Sequence, residues 1–283
     1  MDTQAGSASS LAQRPSPEAA PKRRWNPEKA LPVILPLVTL AVVVVIWDRT
    51  IFLLGVTPEV MPTPGAALAE LWYGLQTGVY ITHTLVTLQE VIYGFALGGI
   101  AGFVVGVLVA EFKYVRMAVF PFLIVLQITP KVAIAPLFII WLGYGIESKV
   151  AIAASISFFP IVINTVAGLR SADGEMLEMM KAFCATRWQT FLRVKLKLAL
   201  PYIFAGLNVA MALAVIGAIV AEFVGSTKGL GYLILQANFK LDTAQVFAVL
   251  VMLAALGIML NTVVSLLARR ALFWHDSERS KQT

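Results

Sequence analysis

The run Val91–Ala110 reads VIYGFALGGIAGFVVGVLVA and contains no charged side chain. A helix needs about twenty mostly apolar residues to cross the hydrocarbon core of a bilayer. Across the 283-residue chain 59% of residues are apolar and 13% are charged, which is about half the charged share of a soluble domain. The composition therefore excludes a soluble or disordered protein and predicts an all-α polytopic membrane protein. Four further apolar runs are candidate spans: Leu31–Trp47, Ala151–Leu169, Ile203–Ala221 and Val246–Ala268.

The stretch Tyr114–Ile146 is too long for one straight span, and it contains Pro121, Pro130 and Pro136. If it crosses once, 17 of the 22 Lys and Arg residues share a side with both termini, and four lie on the other side. If it crosses twice, the six basic residues of 170–197 move outside and the asymmetry largely disappears. Because basic residues favour the cytoplasm, we predict one proline-bent crossing, six transmembrane helices and cytoplasmic N- and C-termini.

The ends of the chain and one connection differ in composition from the spans. Residues 1–29 are rich in Ala, Ser, Pro and charge, and we predict a disordered cytoplasmic tail there. Residues 30–273 are predicted to form the six-helix transmembrane domain, with a cytoplasmic loop at 170–201. A second cytoplasmic tail is predicted at 274–283. A short helix over Ala66–Leu75 is predicted to lie at the membrane surface.

Glycines recur every four residues along the second span, at Gly94, Gly98, Gly102 and Gly106. This spacing makes a smooth ridge along which another helix can approach closely, as helices do where no hydrophobic effect draws them together. The ridge fits packing within the chain or an interface between subunits, and the sequence leaves both open.

A lysine lies inside the proline-broken stretch. Pro130 cannot donate a backbone hydrogen bond, so the freed carbonyl must find another partner at membrane depth. Lys131 beside it would be costly without a carboxylate or water nearby. The predicted topology puts Glu90 and Glu222 towards the outer half, and we expect Glu90 to be the partner of Lys131. Alternatively, Lys131 extends to an interface or closes a static ion pair and has no role in a pathway.

Several kinds of chemistry have no signal in the sequence. His83 and His275 have no companion at metal-ligand spacing, so we predict no metal site. The phosphate-binding pattern G-x-x-x-x-G-K-[ST] is absent, and no nucleophile–base pair is evident. We therefore predict no catalytic residue and no cofactor. The net charge of +6 is assigned to membrane orientation and not to nucleic acid, since no basic stripe carries interleaved aromatics.

The connection Arg170–Pro201 has helical character and mixed charge. Ala182, Phe183 and Thr186 fall on one face of the predicted helix. Such a helix could lie on lipid, cap a loop or dock into a partner protein. Three basic residues near its end suit lipid headgroups and the helix dipole: Arg193, Lys195 and Lys197.

The sequence from Glu178 to Phe191, continuing to Leu200-Pro201-Tyr202-Ile203, resembles the EAA loop of permease subunits of binding-protein-dependent ABC importers. The nitrate/sulfonate/taurine branch is the most similar. Glu178 matches the first residue of the family pattern, and Cys184 stands where the family has glycine. Because cysteine does not adopt a positive φ as easily as glycine, we expect a helical turn at Cys184.

Other segments resemble the same branch, so that the resemblance covers roughly residues 31–273. These segments are Thr84–Leu88, Pro130–Leu137, Trp141–Gly145, Ala221–Phe223 and Gly229–Tyr232.

The resemblance implies an ABC importer type I permease fold and a homodimer in a bacterial inner membrane. It implies two partners, a cytoplasmic ABC ATPase dimer and an extracytoplasmic solute-binding protein, besides membrane lipid. The EAA loop would be the coupling helix that rests in a groove of the ATPase, and the solute would be small and anionic, such as a sulfonate, taurine or nitrate, or another small organic molecule. The residues implied for ATPase coupling are Glu178, Ala182, Cys184, Thr186 and Arg187. Those implied for the translocation pathway are Lys131, Glu90, Asn208 and Glu222.

The alternative from another class is a secondary transporter driven by an ion gradient. Broken helices with intramembrane acids are typical of such transporters, but inverted repeats are too, and the sequence has none that we detect. An intramembrane enzyme would need a His/Glu or Ser/His constellation at depth, and none is present.

Overall fold

The structure is a computed structural model that describes residues 31–273, and every regular element in that range is helical. The predicted tails at 1–29 and 274–283 lie outside the described residues. The helices, in chain order, are α1 Leu31–Leu54, α2 Pro64–Gln76, α3 Val79–Glu111, α4 Lys113–Ile128, α5 Lys131–Leu142, α6 Ile146–Leu169, α7 Gly174–Ala182, α8 Arg187–Thr190, α9 Leu196–Gly225, α10 Leu230–Phe239 and α11 Thr243–Ala271. The chain divides after Arg49 into two compact units, and every tertiary contact described below lies within the second unit.

The helices long and apolar enough to cross a membrane agree with the predicted spans. Among the described residues they are α1, α3, α6, α9 and α11, and the pair α4–α5 is a sixth candidate if it counts as one span. The short helix predicted at Ala66–Leu75 is present as α2.

The α3 and α6 helices are in close contact and run parallel to each other. Successive glycines of α3 contact successively later residues of α6, from Ala153 beside Gly94 to Thr165 beside Gly106. A Cβ on Gly98 would lie 2.5 Å from the Ala154 carbonyl oxygen, and one on Gly106 would lie 2.7 Å from Thr165 Cβ. The glycine ridge therefore packs within the chain, and the first of the two interpretations is confirmed.

This parallel arrangement decides how often the chain crosses between α3 and α6. Parallel helices begin at the same side, so residues 113–142 must return from the end of α3 to the level at which α3 began. The net single crossing is thereby confirmed. The α9 helix then runs antiparallel to α6, because Gly206 meets Asn164 whereas Gly217 meets Ala153.

The return segment is bent sharply at Pro130, within the proline-containing stretch where a bend was predicted. The axes of α4 and α5 differ by 100°. Thr129 is extended (φ −59°, ψ 130°), as the residue before a proline is forced to be. The other two prolines of the segment, Pro121 and Pro136, are accommodated inside α4 and α5. Only at Pro130 do the missing N–H and the restricted preceding residue end a helix.

Replacement of a ridge glycine by alanine is expected to destabilise the helix pair. At Gly102 a Cβ would lie 2.8 Å from the Phe158 carbonyl oxygen, and backbone cannot move aside as a side chain can. We expect Gly98→Ala and Gly102→Ala each to cost about 1–3 kcal/mol, measured as a lower Tm of the purified protein in detergent. The neighbouring Gly99 is the matched control, because its nearest contact would be Ile161 Cδ1 at 3.7 Å. Equal losses for Gly99→Ala and Gly102→Ala would contradict the packing described.

Candidate functional sites at the two ends of the helices

The loop between α6 and α9 is two helices joined by a tight turn, where the sequence predicted one amphipathic helix. The Cys184 N–H donates to the Lys181 carbonyl (2.9 Å), and the Ala185 N–H donates to the Met180 carbonyl (3.0 Å). This pair of bonds is a Schellman motif, which requires a left-handed residue at the first position after the cap.

Cys184 occupies that left-handed position with a φ of 52°. The expected helical turn is therefore wrong. The two backbone hydrogen bonds impose the conformation on whichever residue stands there, and cysteine bears the steric cost that a glycine would avoid. The turn thus keeps the geometry for which the glycine of the EAA pattern is suited.

Thr186 caps the N-terminus of the next helix, α8, and forms a capping box with Gln189. The Gln189 N–H donates to Thr186 Oγ1 (3.2 Å), and the Thr186 N–H donates to Gln189 Oε1 (2.9 Å). Trp188 stacks on Phe191 with ring centroids 5.6 Å apart. A single π-helical turn over Phe191–Lys195 then leads into α9. Thr186 is therefore fixed by its role as a cap, whatever else it contacts.

All five residues predicted for coupling are exposed: Glu178, Ala182, Cys184, Thr186 and Arg187. Large apolar residues of the loop are also exposed, among them Met179 at 48% and Phe183 at 74%. Sequence reasoning gave Met179 no role, although it stands where the EAA pattern has alanine. An exposed apolar group beside charged residues is typical of a surface that a partner covers.

An ion pair ties the base of this loop to the end of α3. Lys195 Nζ lies 2.9 Å from both carboxylate oxygens of Glu111. Sequence analysis assigned Lys195 to lipid or the helix dipole and gave it no acidic partner. The structure joins the two residues, and with them the last turn of α3 and the start of α9.

At the opposite ends of α3 and α9, Glu222 is fully buried and caps the N-terminus of α10. Its carboxylate accepts hydrogen bonds from the Gly231 and Tyr232 N–H groups and from Thr87 Oγ1 (2.6 Å). An anion at a helix N-terminus satisfies the unpaired N–H groups there and interacts favourably with the dipole. Gly229 and Gly231 leave the room for this carboxylate, since a Cβ on either would collide with it.

Two side chains of α3, His83 and Thr87, accept hydrogen bonds from the backbone of the same turn. The Gly229 N–H donates to His83 Nδ1 (3.0 Å), and the Leu230 N–H donates to Thr87 Oγ1 (2.8 Å). The His83 ring also stacks on Tyr232, with centroids 6.1 Å apart. Sequence reasoning considered His83 only as a metal ligand and therefore missed this role. The signal was available in that His83 and Thr87 are four residues apart and share a helix face.

Glu90 lies close to Glu222 and Lys149, and not beside Lys131. Its carboxyl interacts with both of those groups, and its Oε2 is buried without a hydrogen-bond partner among the described residues. The Lys149 ammonium, 4% exposed, donates to the Tyr144 (2.9 Å) and Gly145 (3.0 Å) carbonyls. Together with Lys228 and its neighbours, Glu90 and Lys149 line a cavity of about 420 Å³.

The predicted pairing of Lys131 with Glu90 is wrong. Lys131 Nζ donates to the Gln127 carbonyl (3.0 Å) and lies 4.4 Å from the centre of the Phe159 ring. The break at Pro130 frees the carbonyl of the preceding turn, and the lysine just after the break satisfies it. The Phe159 ring also stabilises the Lys131 ammonium through a cation–π contact.

Of the four predicted pathway residues, the structure brings Glu90 and Glu222 together and leaves Lys131 and Asn208 elsewhere. Asn208 Oδ1 accepts a hydrogen bond from Ser265 Oγ (3.4 Å), which bridges α9 and α11. The cluster at this end therefore consists of Glu90 and Glu222 with three residues that the sequence did not group with them: His83, Thr87 and Lys149.

Comparison with known proteins places the chain among transport proteins. Residues 98–272 match the family model described as binding-protein-dependent transport system inner membrane component. A riboflavin transport system permease of Chloroflexus aurantiacus is 38% identical over 93% of this chain and 97% of its own length. A formylaminopyrimidine transport permease of Halalkalibacterium halodurans is 33% identical over 86% of this chain and 96% of its own.

Two further comparisons bear on the branch and the fold. An aliphatic sulfonate transport permease of Bacillus subtilis is 32% identical over 84% of this chain and 86% of its own length. A chain of the inward-facing methionine ABC transporter superimposes with a TM-score of 0.61 over 69% of this chain and 97% of its own, at 18% identity. That structure supports the fold alone.

The strained turn leads to a prediction about Cys184. Replacement by glycine removes the steric cost of the left-handed conformation but adds freedom to the open turn, for a net gain of about 0.5–1 kcal/mol. We expect Cys184→Gly to slow hydrogen exchange of the amides in 183–190 by about threefold, measured by mass spectrometry. Cys184→Ser keeps a side chain of similar size and is expected to exchange like the wild type. Faster exchange in Cys184→Gly would contradict the strain.

The buried cap leads to a prediction about Glu222. Glu222→Ala leaves the Gly231 and Tyr232 N–H groups without this acceptor, removes the hydrogen bond from Thr87 Oγ1 and opens a cavity, at a cost of about 2–4 kcal/mol. We expect faster hydrogen exchange over residues 229–239 and a lower Tm. Glu147→Ala, which removes an exposed acid at the same end, is the control and is expected to change neither. If both variants behave alike, Glu222 does not hold the turn.

Proposed function

The chain belongs to the family of binding-protein-dependent transport system inner membrane components, and from this premise we propose how its two ends work in transport. It is the membrane-spanning permease subunit of an ABC importer, a transport component of the inner membrane and not an enzyme. The gradient-driven transporter that the sequence left as an alternative is set aside by this family membership.

The loop 170–201 is proposed to be the coupling surface for the cytoplasmic ATPase. The contact residues are Glu178, Ala182, Cys184, Thr186 and Arg187, to which we add Met179 and Phe183. The observation that carries the proposal is the exposure of Phe183 and Met179 beside these polar residues. A partner that covers them removes apolar surface from water, which is the main favourable term in association.

Two contacts join α3 to α9, one near each end of the helices. They support transmission of movement from this loop to the outer side of the membrane. A displacement of α8 and the π-helical turn acts on α9 directly and on α3 through the Glu111–Lys195 ion pair. At the far ends, Thr87 on α3 and Glu222 on α9 share a hydrogen bond and hold the α10 turn. Closure of the ATPase would thus move the extracytoplasmic turn in the alternating-access cycle, with ATP binding favouring one of two states.

A second copy of the chain is proposed to complete the pathway as a homodimer. The pair α4–α5 exposes large apolar residues along its length, among them Ile128 at 78% and Ile140 at 75%. Such a face requires lipid or protein against it. The sharp break at Pro130 supports placement of this pair beside a pathway, since broken helices are tolerated at membrane depth where protein or a cavity covers them.

The translocation pathway is proposed to include Lys131, Glu90, Asn208 and Glu222. Glu90 would contribute to the pathway as part of the lining of the 420 Å³ cavity. Lys131 would contribute from its position directly after the helix break at Pro130. Glu222 and Asn208 would act by holding the helices that line the path, since each already has a partner within the chain.

The solute is proposed to be a small organic molecule with an anionic group, delivered by an extracytoplasmic binding protein. Lys149 and Lys228 outnumber Glu90 among the charged residues of the outer cavity, so its lining is net positive and favours an anion. The relatives are named for riboflavin, formylaminopyrimidine and aliphatic sulfonates, and this range leaves the solute to direct measurement.

The coupling proposal predicts that charge in the loop prevents ATPase binding. We expect the wild-type chain to co-purify with its ATPase, and Glu178→Arg and Ala182→Arg to retain about tenfold less, since repulsion or a buried unpaired charge costs more than a kcal/mol. Phe183→Ala is expected to reduce retention by loss of apolar contact. The measurement is the molar ratio of ATPase to permease after affinity purification, with monodispersity in size-exclusion chromatography as the check on folding.

Asn238→Arg is the matched control for Ala182→Arg, because it adds one positive charge to an exposed site on α10 at the opposite end. Retention of the ATPase by all loop variants would refute the loop as the docking surface. So would equal loss in Asn238→Arg, which would indicate a general effect of added charge.

A further inference from the structure

A groove of about 630 Å³ lies beneath the loop, between α7–α8 and the last turns of α3. Its floor is apolar, with Val107, Leu177 and Phe191 among the lining residues. Lys181 and Arg187 are the basic residues of its rim, and Trp188 forms part of the wall. A volume of this size is typical of a small-molecule site.

The charges of the groove are unbalanced. A third basic residue, Lys195, is neutralised by Glu111 at 2.9 Å. Within the described part of the chain, the structure gives neither Lys181 nor Arg187 an acidic partner. The groove therefore combines apolar surface with two unneutralised cations, which is complementary to an amphiphilic anion and not to a neutral molecule or a simple salt ion.

The position of the groove supports one occupant. The α3 helix ends at Glu111 and the apolar run of α9 begins at Leu196, so the groove opens where the spans meet the basic loop. In the proposed topology that level corresponds to the headgroup region of the cytoplasmic leaflet, where a tryptophan such as Trp188 is also favoured. Basic pockets between transmembrane helices on the cytoplasmic side suit anionic lipid headgroups.

We propose that this groove binds one anionic glycerophospholipid, with its phosphate between Lys181 and Arg187 and the start of an acyl chain against Val107 and Phe191. The proposal rests on the permease function for the assignment of the loop to the cytoplasmic surface. It adds a site within that function, a lipid that fills the space between the coupling loop and the end of α3.

The lipid and the ATPase need not compete, because they use different faces of α7. Leu177 and Lys181 are four residues apart and share the face that lines the groove. Met179 and Phe183 are also four residues apart and do not line it. Arg187 is the one residue of the coupling set that also lines the groove, so the test relies on Lys181.

The test uses the purified permease in detergent without its ATPase. The probes are phosphatidylglycerol and phosphatidylcholine with identical acyl chains, and the readouts are lipid retained in native mass spectrometry and the shift of Tm with added lipid. We expect the wild type to retain about fivefold more phosphatidylglycerol than phosphatidylcholine, the effect of about one cation near an anionic headgroup.

Two variants and two controls identify the site. Lys181→Ala is expected to abolish most of the preference for phosphatidylglycerol, and Lys181→Arg to retain it. Ala185→Trp fills the groove without altering charge and is expected to reduce retention of both lipids. Lys197→Ala removes an exposed cation that does not line the groove and is expected to bind like the wild type.

No preference in the wild type, or the same loss in Lys197→Ala as in Lys181→Ala, overturns the proposal. Its failure is distinguishable from failure of the coupling proposal, because lipid retention is measured without ATPase and ATPase retention is measured separately. Lys181→Ala that loses the lipid preference but still co-purifies with the ATPase supports two independent sites.

Discussion

The close parallel contact between α3 and α6 is the constraint on which the rest of the structure depends. Lipid is as apolar as the side chains it would replace, so these helices are held by van der Waals contact, which falls steeply with distance. Glycine at every fourth position from Gly94 to Gly106 of α3 allows that contact. Because the two helices are parallel, the chain between them must return across the membrane, and the break at Pro130 lies within that return.

The α9 helix completes the frame by packing antiparallel to α6 while it is tied to α3 at both ends. The Glu111–Lys195 ion pair forms one tie, and the hydrogen bond from Thr87 to Glu222 forms the other. The exposed loop lies at the first tie and the turn before α10 at the second. We expect helices joined at both ends to move together, which would let work done at one membrane surface open the other.

The spans, the glycine ridge and the position of the break could be predicted from sequence, because each depends on local composition or on spacing along one helix. The partner of Lys131 could not. A helix that is apolar on every side carries little information about which face meets which neighbour. Glu90 could therefore be paired with a lysine only from the predicted level of the two residues in the membrane. In the structure Glu90 lies near Glu222 and Lys149, and Lys131 donates to the Gln127 carbonyl.

Cys184 and His83 were misjudged for a related reason, since each was evaluated by its residue type alone. The conformation of Cys184 is set by two backbone hydrogen bonds of the turn. The role of His83 depends on a turn 146 positions later in the chain. Neither the conformation of Cys184 nor the role of His83 can be inferred from residue type. For His83, the position of Thr87 four residues later was the remaining sequence signal.

The proposed topology puts the loop 170–201 on the cytoplasmic side and the cluster around Glu90 and Glu222 on the opposite side. The most direct test is labelling with a membrane-impermeant maleimide, for which the chain offers its single cysteine, Cys184, in an exposed position. We expect Cys184 to be labelled in inverted membrane vesicles but not in intact spheroplasts, and the reverse for Lys228→Cys in a Cys184→Ser background. The reversed pattern, with Cys184 labelled only in spheroplasts and Lys228→Cys only in inverted vesicles, would contradict the single crossing of residues 113–142. Labelling of both positions from the same side would contradict the crossing of α9.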